Sequence, residues 1–261
     1  MTARTQGRYL DLLKSNADLR RIYLSRLVSF GGDWFLLVPM LGLVNELSGS
    51  AILTAAVFAA NTLPAFLASP LGGVLADRLD RRKIMVWANL GAALAAGLML
   101  AVDHPTLIEA GVSVPLALGG LAILAALSAL IAPASTAAIP AIVKPEDLAD
   151  AIFLVESTWG MMAAVGAAAG GLVATALGRE AAIAIDAVSF IGASALVWRI
   201  RQSLSNRSRE RTSVEGVRRP GGMAEALAYI RRHPPVIALL TSKAGFAVFG
   251  AGAVALLPVL A

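Results

Sequence analysis

Two carboxylates stand where a carboxylate is expensive. Asp33 lies within residues 22–44, whose only other charge is Arg26, and Asp186 is the single charge of residues 181–198. If these apolar stretches cross hydrocarbon, an ionised carboxylate near mid-depth costs about 2.5–3.5 kcal/mol on insertion scales, so it seldom faces lipid. Both are candidates for taking up and releasing a proton, or for holding a cationic substrate. Arg26, seven residues before Asp33 on the same helix face, offers a competing structural pairing, although about 10 Å of axial rise separates the two backbones. Asp186, six residues past a short polar break, has a competing reading too, contact with interfacial water.

A second constellation mixes signs. Asp77 ends an apolar run, where a helix macrodipole is already negative and disfavours an acid. Arg81 is one turn away and can compensate it, with Arg78 and Arg82 beside it. A third group is small rather than charged: Gly166, Gly170 and Gly171 repeat at the spacing that lets two helices approach closely. Enzyme chemistry finds little support. His104 and His233 lie outside the apolar runs, cysteine is absent, and neither HExxH nor GxSxG occurs. Neither a charge ring nor a filter loop of the kind an ion channel uses is visible. The sequence therefore predicts no catalytic residue, no metal site and no cofactor.

What positions these residues is set by composition. Of 261 residues 57% are hydrophobic and 15% charged, with a mean hydropathy of +0.74, whereas soluble domains run at roughly 45–50% apolar and about 25% charged. Charge is missing altogether from residues 51–76, 84–102, 110–143, 157–178 and 244–261. Each run is about the 18–20 residues a helix needs to cross some 30 Å of hydrocarbon, or longer. Adding 22–44 and 181–198 gives seven expected spans. Continuous Ala, Leu and Gly-rich runs exclude a barrel, whose strands alternate over about 10 residues, so the fold class is all-α integral membrane. The first 21 residues lack the apolar core of a secretory signal, and the first span is expected to insert uncleaved.

Lys and Arg total 22 against 17 acids, and their placement is uneven. Six precede or open span 1, four (Arg78, Arg81, Arg82 and Lys83) join spans 2 and 3, and Lys144 follows span 4. Nine lie between spans 6 and 7. The positive-inside rule then puts the N-terminus and these loops in the cytoplasm, and residues 45–50, 103–109 and 179–180 outside. Topology thus accounts for the basic balance and removes the case for nucleic acid. Residues 199–222 read as a flexible connector. Met223, Leu227 and Ile230 recur at helical spacing opposite Glu225, Arg231 and Arg232, predicting either an interfacial helix or a solvated connector helix that stops at Pro234 and Pro235. The expected organisation is a cytoplasmic segment 1–21, a six-helix bundle 22–198, a basic linker 199–235 and a seventh span 236–261. Asn61 and Asn89 are expected to bond a neighbouring helix, Glu156 to sit at the interface, and Lys243 to snorkel.

Gly73, Asp77, Arg78, Arg81 and Arg82 follow GxxxDRxxRR at a helix-loop-helix turn, which resembles the signature loop of the major facilitator superfamily. Asp80 stands where that loop usually has glycine. Ser29 to Trp34 (SFGGDW), Pro133 to Pro140 with Pro145 to Leu148, Asp186 to Phe190 (DAVSF) and Tyr229 to Pro234 (YIRRHP) resemble the branch of macrolide efflux proteins and the enterobactin exporter. Gly166, Gly170 and Gly171 resemble the antiporter signature GPxxGG with Ala167 in place of proline, while span 4 lacks the Arg that many drug-proton antiporters keep there.

The resemblance implies a secondary transporter in the inner membrane that exports an amphiphilic small molecule by proton-coupled rocking of two six-helix halves. It also implies a latch at Asp77, Arg78 and Arg81 that faces a helix of the opposite half. This chain corresponds to one half, the connector and a seventh helix. The expected partners are a small-molecule substrate, protons, the bilayer, and a second half or another subunit. The alternative is a truncated, non-transporting fragment or assembly subunit.

Overall fold

The computed structural model describes residues 3–204 together with residues 231, 232 and 235. The chain divides into two compact units, Met1–Arg209 and Glu210–Ala261. In the second unit Arg231, Arg232 and Pro235 are helical and exposed; the seventh span and the apolar side of the expected interfacial helix lie outside the described residues.

Every regular element described in the first unit is helical: α1 (Ala3–Ser15), α2 (Ala17–Ser48), α3 (Ala51–Arg78), α4 (Arg81–Met99), α5 (Pro105–Glu109), α6 (Ser113–Ile142), α7 (Leu148–Leu177) and α8 (Arg179–Trp198), with short 3₁₀ turns at Leu100–Asp103 and Pro145–Asp147. Six of them (α2, α3, α4, α6, α7 and α8) are long and apolar enough to cross a membrane. The all-α membrane architecture is therefore the one the charge-free runs require. Helix α2 starts at Ala17, five residues before the expected first span, because Asn16 caps it by accepting from the Leu19 amide at 2.9 Å. It ends at Gly49, whose φ of 58° is the left-handed conformation that closes many helices.

Helix α2 packs on α7 and α8, α3 on α6, and α4 on α6 and α8. The core falls into two apolar clusters. One gathers Leu19, Ile22, Met85, Ile139, Ile142, Val155 and Val197; the other gathers Leu36, Met40, Met99, Leu121, Leu124, Ile183 and Phe190. On four helices buried polar side chains fall between these clusters: Ser25, Arg26 and Ser29 on α2, Asn89 on α4, Ser128 on α6 and Ser194 on α8. A polar belt therefore crosses the bundle between two greasy layers.

The two ends differ. At one end Asn16 Nδ2 donates to the Ile142 carbonyl at 2.7 Å, and Asp18 accepts from the backbone amides of Arg201 at 3.4 Å and Gln202 at 3.2 Å. This end gathers the arginine-rich connections. At the other, Arg179 bridges Asp103 at 2.5 Å and Glu46 at 2.6 Å. Helices α3 and α7 leave most of their surface open, including Phe66, Leu67, Trp159 and Val165.

Candidate functional site

Asp33 points from α2 toward α6, where its Oδ1 accepts a hydrogen bond from Ser128 Oγ at 2.9 Å. Asp186 comes from α8 and is 1% exposed. It does not reach interfacial water as the sequence suggested. Its carboxyl is turned inward against Gly32, the neighbour of Asp33; a side chain there would collide with Asp186 Oδ1. Ser189 Oγ donates to the Asp186 carbonyl at 2.8 Å and more distantly to Oδ1 at 3.4 Å, while Oδ2 has no partner among the described residues. Gly32 is what admits the second acid beside the first.

Arg26 is not the counter-ion of Asp33. Its guanidinium is 2% exposed, donates to Ser135 Oγ at 2.8 Å, lies 4.2 Å over the Phe30 ring and stands 3.5 Å from Glu156 Oε1 on α7. The axial separation along α2 keeps it away from Asp33, and Glu156 offers a carboxylate at the same depth. Glu156 is correspondingly not at the helix start: it lies in the third turn of α7 and accepts from Thr136 Oγ1 at 2.6 Å. Asn89 also departs from expectation, since its amide donates to Met85 of its own helix at 2.7 Å.

In the loop between α3 and α4 only Leu79 and Asp80 separate the helices. Asp80 caps α4 by accepting from the amides of Arg82 at 2.8 Å and Lys83 at 3.4 Å. An acid at this position therefore closes a tight turn by capping, where glycine would do so by conformational freedom. Arg81 is folded inward and donates to the carbonyls of Ala76 at 3.2 Å, Ala137 at 2.9 Å and Leu204 at 2.9 Å. Arg82 donates to Gln202 at 2.9 Å. Asp77 and Arg78 are exposed, and the Asp77 and Asp80 carboxylates both act electrostatically on Arg81. The signature arginines thus hold the segment that leaves α8. Gly73 has open space around its Cα; the glycine pressed against α6 is Gly72, where a Cβ would lie 2.8 Å from the Ala129 carbonyl and from Pro133 Cγ.

The small residues of α7 meet α2. A Cβ on Gly166 would lie 2.7 Å from the Gly31 carbonyl oxygen, one on Gly170 would overlap the Phe35 carbonyl, and one on Gly171 would lie 3.2 Å from Val38 Cγ1. The structure sets Asp186 against Gly32, next in sequence to Asp33, places the signature loop at the arginine-rich end, and uses Gly166 and Gly170 to join α2 to α7. Sequence reasoning missed the Arg26, Ser135, Glu156 and Thr136 group. Two opposite charges at equal distances from the arginine-rich ends of α2 and α7 were the signal available for it.

Comparisons with known proteins agree with the fold. The chain is 31% identical over 84 residues to the uncharacterised MFS-type transporter YfiS of Bacillus subtilis (strain 168), an overlap of 32% of this chain and 20% of that protein. A crystal structure of the peptide transporter POT with alafosfalin superposes on 87% of this chain with a TM-score of 0.59 and 15% identity, which is a likeness of fold. This chain covers 46% of that structure. The model of the transmembrane secretion effectors matches residues 14–261, taking in all six described spans, and the chain belongs to that family of multi-pass membrane transporters within the major facilitator superfamily.

Proposed function

We propose that this chain is the N-terminal six-helix half, with linker and seventh span, of a secondary transporter that exports an amphiphilic small molecule by proton-coupled alternating access. On this reading the arginine-rich end faces the cytoplasm of a bacterial inner membrane. A second half, in the same polypeptide or in another subunit, completes the substrate path, and Asp77, Arg78 and Arg81 latch against it.

One observation carries the coupling: Asp186 is turned inward onto Gly32, next in sequence to Asp33, while the buried guanidinium of Arg26 is turned to Glu156. Two carboxylates set near one another, with no cation paired to either among the described residues, disfavour double ionisation. Such a pair holds a proton and gives it up when water or substrate arrives, which is what an exchange cycle needs. The full-length protein reconstituted in proteoliposomes tests this. An imposed pH gradient should drive export of a fluorescent amphiphile, and Asp33→Asn should lower the gradient-driven rate at least tenfold with insertion unchanged. An undiminished response to the gradient in Asp33→Asn would remove the coupling.

A further inference from the structure

Glu156 presents a different problem from Asp33 and Asp186. It lies eight residues beyond Leu148, which at 1.5 Å per residue places it about 12 Å along α7. Yet its side chain is 49% exposed. An ionised carboxylate so placed cannot face lipid without a cost of a few kcal/mol, so this side of α7 faces water or protein. Glu156 Oε1 accepts from Thr136 and faces Arg26, whereas Oε2 has no partner among the described residues. Among the described residues, then, half of this carboxylate is left without a hydrogen bond on a side chain that is half exposed.

The walls beside it are aromatic. Trp159, one turn along α7 and so on the same helix face, is 51% exposed and meets Trp34 of α2 edge to face at 6.0 Å. Phe30, one turn before Trp34, lies beneath Arg26 at 4.2 Å. Aromatic faces and a carboxylate attract the same kind of ligand, a cation with an apolar body. An anion would meet Glu156 first, because Arg26 is 2% exposed with its guanidinium turned to Ser135, Phe30 and Glu156.

We propose that Glu156, walled by Trp159 and Trp34, anchors a lipophilic monovalent cation, and that Arg26 is the resident counter-ion with which this ligand competes. The inference deepens the transporter reading and rests on it for its biological meaning. The competition has a purpose in an export cycle. Arg26 neutralises Glu156 when the site is empty, and its repulsion of a bound cation limits affinity so that the ligand can leave.

Equilibrium binding of radiolabelled tetraphenylphosphonium to the purified full chain in detergent tests the site without any transport step. Saturable binding should weaken at least tenfold in Glu156→Gln and about threefold in Trp159→Ala, persist in Glu156→Asp, and tighten severalfold in Arg26→Gln. Tetraphenylborate, an anion of the same shape, should fail to compete. Equal binding in Glu156→Gln, effective competition by tetraphenylborate, or weaker binding in Arg26→Gln would each overturn the proposal. If Glu156→Gln fails to fold, loss of binding in Glu156→Asp decides against it. Normal binding with no transport would sink the export reading and leave this site standing.

Discussion

Helix α2 meets α7 and α8 along two seams, and the two treat close approach and buried charge in opposite ways. Against α7 the backbones touch through Gly166 and Gly170, and the charges are of opposite sign, Arg26 with Glu156. Against α8 the glycine is on α2 itself, Gly32, and what fills the space it leaves is a second acid beside the first. The α7 seam is compensated, and its geometry is rigid because the neighbour of each glycine is backbone. The α8 seam is uncompensated, and its tight contact is with a side chain that can rotate. One seam therefore suits holding and the other suits switching.

The largest expected effect comes from breaking the rigid seam. In Gly170→Val the new side chain meets the Phe35 carbonyl, which cannot turn away without distorting α2. Overpacking usually costs about 1–3 kcal/mol, and with backbone as the obstacle the cost belongs at or above the upper end. Denaturant unfolding in mixed micelles should show a loss of about 3 kcal/mol or more. A loss under 1 kcal/mol would mean that the two helices do not hold this distance.

A smaller effect comes from removing the compensation. Arg26→Gln leaves Glu156 without its cation, and breaking a buried pair costs about 3–5 kcal/mol when both partners are enclosed. Glu156 is half exposed and water screens it, so about 1–2 kcal/mol is expected from the same unfolding measurement. Glu156→Gln in the Arg26→Gln background should recover most of the loss, since no unpaired charge remains. Additive losses in that double-mutant cycle would show that the two residues are not coupled.

The two seams were unequally legible in the sequence. The glycine spacing in α7 is a local pattern, and so are the long apolar runs behind the six spans, four of them free of charge; both survive because a helix repeats every 3.6 residues whatever it packs against. The side of an acid that meets another helix is not local. Asp186 lies in the second turn of α8, and counting residues from the polar break suggested water, but the rotation of α8 about its axis turns it inward onto Gly32. Arg26 and Asp33 share one helix face by sequence, and still the arginine finds a carboxylate 130 positions away, because α2 and α7 run side by side. Asp80 was legible as a departure from the family's loop, while its capping role depended on knowing that α4 begins at Arg81.

The smallest effect sharpens the contrast most, because its sign is expected to reverse. Asp186→Asn keeps the acceptor that Ser189 approaches and replaces the unpartnered Oδ2 with an amide that can donate toward Asp33. Nothing favourable is lost, since no cation among the described residues pairs with Asp186, and a neutral group is cheaper to bury than a carboxylate. Stability should therefore stay level or rise by up to about 1 kcal/mol, where Arg26→Gln lowers it. The pH gradient should meanwhile lose its grip on transport, because the pair can no longer share a proton. If Asp186→Asn instead destabilises the bundle as much as Arg26→Gln does, then Asp186 is held by a favourable charge interaction. The α8 seam would then be a second compensated joint, not a switch.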